Sequence, residues 1–393
     1  MTPRERIQAA MNHQPCDRVP VMCQLALGHY FIHGRHRPAD IWFDSRVFVE
    51  TLAEFQQRCG FDGFLINLPG RPPDWREYVL ASRPADQGEC LTWRNGLETW
   101  FPPDDNPHAF IADRQPLPRV NPQVVDPGDP ATFRTPGYVW NTWHAPSLWD
   151  VLPDADLGEP EAYPPWLTAG LRHARITCPE VSIHMEVFSP FTHLLELFGY
   201  EHALIALLDS PAVCHQLLAQ VSRHVIAQIR VYAPCGPDAI LVSSAFAGAG
   251  FISRAMYSEF VVPYERQVAA AVHEYGLPIY THTCGAIGDR LDLMAETGVD
   301  GLDTLDPPPL GTVDLARAKA EYGSRFFFKG NLDAVNEMLR ADDATFEAAV
   351  RKRLAIGSPG SGYILSSACS VAPHVRPDRL QRMVELAEAY SRR

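Results

Sequence analysis

The chain has 393 residues, of which 46% are apolar, and a formal net charge of -13. That length holds either two average domains or one α/β barrel with insertions. The acidic balance leaves no basic stripe for a nucleic-acid partner, and no apolar run approaches the ~20 residues that a membrane span needs.

The opening Met1-Thr2-Pro3-Arg4-Glu5-Arg6 lacks an apolar signal core and predicts a helix start, with Thr2 as cap, Pro3 at the first position and Glu5 closing a capping box. A cytoplasmic location follows as the expectation. Nine cysteines, an odd number scattered from Cys16 to Cys369, do not form a disulfide framework and are expected reduced. A buried strand is predicted over Arg18 to Gln24, an amphipathic helix over Arg46 to Cys59 ending at Gly60, and a second strand over Asp62 to Asn67. Then comes a stretch of about 69–160 in which many of the 35 prolines concentrate. Its clearest signal is a hairpin over Leu91 to Trp100 centred on Asn95-Gly96. It reads as an inserted lid or rim on a single domain spanning 1–393.

From about residue 161 the pattern becomes regular. Helix 161–176, strand 180–187, helix 211–233, strand 238–243, helix 253–275, strand 277–282, helix 286–297 and strand 300–305 alternate. Helix 312–322, strand 325–330, helix 343–355, strand 362–367 and helix 377–391 close the series. Eight strands, most followed by helices, predict a parallel sheet closed as a (β/α)8 TIM barrel with a long insertion in its N-terminal half. The rival is a doubly wound open sheet, which the lack of a Gly-rich phosphate fingerprint after any early strand weakens.

The chemistry concentrates at strand ends. His282 and Cys284 close the strand 277–282, and Cys369 follows the strand 362–367 in Ser366-Ser367-Ala368-Cys369. An imidazole and two thiolates suit zinc, and three protein ligands leave a fourth position open, as in catalytic sites. Cysteine is often only a small buried apolar residue. The barrel adds weight, because its C-terminal strand ends converge on one mouth. Asp306, after the strand 300–305, reaches the same rim and is a candidate fourth ligand or else a turn former before Pro307. Glu186, Asn67, Asn331 and Asp333 also stand at strand ends; Glu186 is the candidate catalytic carboxylate, and the other three are candidate substrate contacts or loop caps. His184 and Glu186 share one face of their strand. His193 and His374 read as surface or capping residues. Trp75, Tyr78, Trp93, Trp100, Phe101, Trp140, Trp143 and Trp149 offer either local packing or an aromatic substrate pocket.

The sequence resembles the uroporphyrinogen decarboxylase superfamily and, within it, the zinc-dependent, corrinoid-linked methyltransferases. The resemblance runs nearly end to end, through Asp17-Arg18-Val19-Pro20-Val21, Ile252-Ser253, Pro263-Tyr264, His282-Thr283-Cys284-Gly285, Gly298-Val299-Asp300-Gly301, Tyr322-Gly323, Gly330-Asn331-Leu332-Asp333 and Cys369-Ser370-Val371-Ala372-Pro373. It implies zinc held by His282, Cys284 and Cys369, with Asp306 where related zinc methyltransferases carry a carboxylate, often Glu. Decarboxylases of the superfamily use an arginine-bearing segment near the N-terminus that this chain does not match. Many relatives carry an acidic pair where this chain reads Val242-Ser243-Ser244. The implied activity is methyl transfer from a small-molecule, O-methyl donor to a corrinoid. The alternatives are transfer from a methylcorrinoid to a thiol acceptor, or a decarboxylase-like reaction. No Asp-x-His-x-x-Gly corrinoid signature occurs, so the cobalamin is expected on a partner corrinoid protein. A homodimer is compatible with the sequence.

Overall fold

The computed structural model describes residues 1–68, 70–85, 87–111, 115–116, 119–129, 132 and 163–392. Within the predicted rim stretch, Trp140, Trp143 and Trp149 lie outside the described residues, as do the first two positions of the predicted helix 161–176.

Seven short, fully or nearly fully buried strands pair in parallel: β1 Gly63–Ile66, β7 Ser182–Phe188, β8 Ala239–Ser243, β9 Ile279–Thr283, β10 Gly301–Thr304, β11 Phe327–Leu332 and β12 Tyr363–Ser367, in that spatial order. The intervening β2 Val79–Ala85, β3 Gly88–Trp93, β4 Glu98–Phe101, β5 His108–Ile111 and β6 Gln115–Pro116 form a separate antiparallel sheet. Its β3–β4 hairpin turns at Asn95-Gly96 as predicted, with Asn95 Oδ1 accepting the Leu97 N–H. Trp75, Trp93 and Phe101 pack on Phe43, so these three aromatics serve local packing.

The architecture is α/β and TIM-barrel-like, with a parallel sheet that curls on itself. The predicted strand 18–24 is corrected: it survives as two isolated parallel bridges to the β12 side, Val21 to Leu365 and Leu25 to Val371. The reason lies in Pro20 and in a residue distant in sequence. Pro20 has no N–H to give, and the Val21 N–H goes to the carboxylate of Asp62 at 2.8 Å. The Asp62 backbone N–H in turn donates to Val21 O at 2.8 Å, so the segment touches both the β12 and β1 edges. Arg18 and Arg6 hold the same buried Asp62 carboxylate.

Alternation sends every second strand residue into the enclosed space. There Met22, Leu65, Ala239, Leu241, Tyr280, Phe327 and Ile364 form an apolar floor, closed from below by Ile7, Ala10 and Met11. Those three belong to the helix Pro3–Met11, whose Thr2 and Glu5 form the predicted capping box. Outside the sheet, the predicted helix 253–275 is two helices, Arg254–Phe260 and Val262–His273, because Pro263 cannot donate to the preceding turn. Two helices not predicted, Pro190–Phe198 and Tyr200–Asp209, follow β7 and bury His193, contrary to its expected surface position. Among the described residues no single helix is long and apolar enough to cross a membrane.

Candidate metal centre

Tyr280 faces the apolar floor, so His282, two residues on in β9, occupies the same face one step nearer the C-terminal strand end. In register, His282 lies opposite Asp303 of β10, and Asp303 opposite Lys329 of β11. Parallel pairing therefore sets three ionisable side chains side by side at one height. His282 Nδ1 stands 2.9 Å from Asp303 Oδ2, and Lys329 Nζ donates to Asp303 Oδ1 at 2.9 Å. All three are buried, at 6%, 2% and 2% exposed, so none is screened by bulk water. With Nδ1 committed to Asp303, Nε2 is the nitrogen left to face the sulfurs. Cys284 Sγ lies 3.3 Å from it and 3.5 Å from Cys369 Sγ.

The loops complete the placement. Cys284 passes into Gly285 at φ +78°, a left-handed turn that favours glycine. The Gly285 N–H donates to Asp306 Oδ2 at 2.6 Å, which ties the turn to the end of β10. The 244–252 loop lies flush against the motif: Cys284 N–H donates to Ala245 O at 3.3 Å, and a Cβ on Gly248 would come within 2.6 Å of Cys284 O. Cys369 is set by its neighbour Ala368, whose N–H donates to Leu332 O at 2.6 Å.

The donor set fits zinc. His282, Cys284 and Cys369 offer ligand atoms all within 4.8 Å of one another. A tetrahedral ion with Zn–S of about 2.3 Å and Zn–N of about 2.0 Å sets sulfurs about 3.8 Å apart and N···S about 3.5 Å, within a few tenths of an ångström of the two spacings that Cys284 makes. Burial opposes the charge on Asp303, yet the Lys329 ammonium and His282 hold its carboxyl down to about 2. Burial likewise opposes a charged His282, but Asp303 and Cys369 carry the ring up to about 10. The two sulfurs share a proton: the hydrogen bond from Cys284 holds Cys369 well below the usual thiol range and pushes Cys284 up.

The other predicted site residues divide. Glu186 points into the same lumen, 9% exposed, with burial pushing its carboxyl up to about 7 against the pull of His282 and Ser243. Asp306 is 5% exposed and raised by burial to about 6, and it stands outside the group of three ligand atoms that lie within 4.8 Å of one another. Asn331 donates from Nδ2 to Leu305 O at 2.8 Å and accepts from Arg353 Nε at 3.3 Å. The Asp333 carboxylate accepts the N–H groups of Val335 and Asn336, as a loop cap does. Asn67 is half-buried just beyond β1.

Sequence reading missed Asp303 and Lys329. Their signal was a lone charge inside each of two apolar strands, which demands a partner. It also missed the floor beneath them, where His184 Nδ1 meets Tyr280 Oη at 2.7 Å and Ser182 Oγ lies 3.1 Å from His184 Nε2.

Comparison with known proteins places this geometry in a wider set. The family model described as uroporphyrinogen decarboxylase (URO-D) matches residues 149–390. Curated uroporphyrinogen decarboxylases from Thioalkalivibrio sulfidiphilus and Cellvibrio japonicus are 30% and 32% identical over 183 residues, 46% of this chain and 49% of each relative. The match thus spans about half the length of these relatives. In fold, the chain is similar to a methyltransferase from Methanosarcina mazei, with TM-score 0.68, 16% identity and 99% of both chains covered. It is also similar to a B12-independent methionine synthase from Shewanella sp. W3-18-1, with TM-score 0.52, 10% identity, and 95% of this chain and 98% of that one covered.

Proposed function

The chain belongs to the uroporphyrinogen decarboxylase family, and on that premise we propose a zinc-dependent methyltransferase that moves a methyl group from an O-methyl substrate to a corrinoid carried by a partner protein. The observation that carries this reading is the convergence of His282 Nε2, Cys284 Sγ and Cys369 Sγ at one end of the parallel sheet, with all three atoms within 4.8 Å of one another. We take the architecture as a full (β/α)8 barrel with segment 20–25 as its eighth stave, supported by its hydrogen bonds to residue 62 and to the β12 side. We take the stretch 69–160 as its rim.

A bound zinc ion would supply Lewis acidity at an open position, weakening an ether C–O bond or favouring a thiolate. The chain's own groups do the rest. His282, Cys284 and Cys369 are the ligands, and Asp306 is proposed as the carboxylate that fills the remaining position before substrate arrives. Glu186 is the proposed catalytic acid. Its carboxyl holds a proton near neutral pH, and gives it to the departing oxygen, which keeps the electron pair of the broken C–O bond as the methyl group leaves to the reduced corrinoid. Asn67, Asn331 and Asp333 are proposed to shape the substrate side of the mouth, the last two through the loop they brace. The same ligands would serve the reverse half of a methyl relay, from a methylcorrinoid to a thiol.

Decarboxylation is the second reading, favoured by the curated relatives at 30% and 32% identity. Against it stand two thiolates at the mouth, which suit zinc better than they suit a tetrapyrrole with its many carboxylates.

Metal analysis of the purified chain tests the proposal first. About one zinc per chain is expected, with Cys284→Ser and Cys369→Ser folded, depleted of zinc and unable to methylate reduced cobalamin from an aryl methyl ether. Full zinc occupancy in both variants would remove the ligand set. Uroporphyrinogen consumption by the metal-free chain would establish the decarboxylase reading instead.

A further inference from the structure

A ligating imidazole has two nitrogens, and which of them meets the metal depends on what the other one bonds. In this chain the other nitrogen meets Asp303, 2.9 Å away and 2% exposed, and Asp303 is gripped from its far oxygen by Lys329, also 2% exposed. Neither belongs to the group of donor atoms that lie within 4.8 Å of one another. Both face the lumen, where an unpaired charge is costly.

We propose that Asp303, clamped by Lys329, is the positioning residue of the centre, holding the His282 ring with Nδ1–H toward the carboxylate and Nε2 toward the two sulfurs, and that the pair itself adds no net charge to the lumen. This inference rests on the zinc reading above.

The charge argument is direct. Two thiolates balance one divalent ion, and the Lys329 ammonium balances the Asp303 carboxylate, so the pair orients the ring without adding charge where both residues are 2% exposed. The floor agrees with this. Below Asp303 the polar pair His184–Tyr280 bonds within itself, Nδ1 to Oη at 2.7 Å. Among the described residues the Asp303 carboxylate is thus held by Lys329 and His282. The strand register makes the device rigid: His282, Asp303 and Lys329 sit opposite one another on three consecutive strands, with no loop between them.

The test measures zinc affinity by chelator competition, together with the visible spectrum of the cobalt(II)-substituted protein, which reports the ligand atoms directly. Asp303→Asn keeps the shape but weakens the acceptor, and zinc affinity should fall by about 10–100-fold, with shifted cobalt d–d bands. Asp303→Glu should recover much of the affinity. The double variant Asp303→Asn with Lys329→Met removes both charges, so it should fold even where Asp303→Asn alone does not, and it should remain weak for zinc. Wild-type affinity and an unchanged cobalt spectrum in the folded double variant would overturn the positioning role. So would failure of both variants to fold, which would make the pair a structural strut. A wild-type chain that binds no zinc would instead reject the zinc reading, so the two failures are distinct.

Discussion

A carboxyl sealed from water is cheapest when it keeps its proton, and Glu186 is such a group, placed above a hydrogen-bonded floor and near His282. Its proposed role as acid makes a prediction about leaving groups. An aliphatic alkoxide needs a proton as the C–O bond breaks, whereas a phenolate with a low pKa does not. Glu186→Gln should therefore slow demethylation of aliphatic methyl ethers by about 10²–10⁴-fold and leave activated aryl methyl ethers within a few-fold of wild type. Equal losses on both donor classes would assign Glu186 to packing or to substrate binding. The mouth residues differ in how readable they were. His-x-Cys and a distant Cys are a weak signal by themselves, since cysteine is often only a small buried apolar residue, and they gain weight when strand ends bring the soft donors to one mouth. Asp303 and Lys329 are ordinary letters until register sets them side by side. Asn331 and Asp333 look identical in sequence whether they bind substrate or brace a loop, and only their bonds to Leu305, Arg353, Val335 and Asn336 distinguish the two.

Between residue and fold stands the 244–252 loop, which has no regular structure of its own and yet forms one side of the Cys284 turn. What pins it is Arg290. This side chain is fully buried and donates to Ala247 O at 2.8 Å and Ile252 O at 3.2 Å, with its guanidinium 5.4 Å from the Tyr257 ring centre. Arg290→Met would keep the apolar stem and strand two buried carbonyls, each costing about 1–3 kcal/mol. The expected outcome is a lower Tm and faster amide exchange confined to 245–252, with zinc still bound. Unchanged exchange there would show that the loop is held by its backbone bonds to Cys284 and Ala286 and by Gly248 packing. Sequence reading placed the strands well at this scale, since short apolar runs bounded by turn residues admit few other structures. It placed helix ends poorly where one residue decides. Pro263 divides a run that otherwise reads as continuous, and the two helices on either side of Gly199, at φ +79°, were not predicted. The segment 20–25 failed as a strand for a reason no local pattern contains, namely an Asp 41 positions away capturing the Val21 N–H.

For the molecule as a whole, the buried titratable groups fix a pH window of stability, and the signs can be worked out separately. Burial lowers His29 and His184 to about 4 and His193 to about 3. A depressed histidine contributes stability that is complete above its unfolded value near 6.5 and is lost as pH falls toward the folded value. The acid limb should therefore begin below about 6.5 and run to about 3. Glu265 acts in the opposite direction. It is 1% exposed, neither oxygen has a hydrogen-bond partner among the described residues, and burial raises it to about 7, with the nearby Ser244 hydroxyl pulling weakly the other way from outside hydrogen-bonding geometry. A raised carboxyl contributes stability that is complete below its unfolded value and is lost as pH rises through the folded one. That loss thus runs from the unfolded value near 4.5 to about 7, overlapping the histidine limb, and stability should peak between about 6 and 7. Glu265→Gln keeps the shape and cannot ionise. Urea unfolding at pH 8.5 should find this variant more stable than wild type by about 1–3 kcal/mol, and at pH 5.5 by less than half of that. A variant that is less stable than wild type at both pH values would show that the Glu265 carboxylate is solvated or paired in the folded chain, and that any loss with rising pH has another origin.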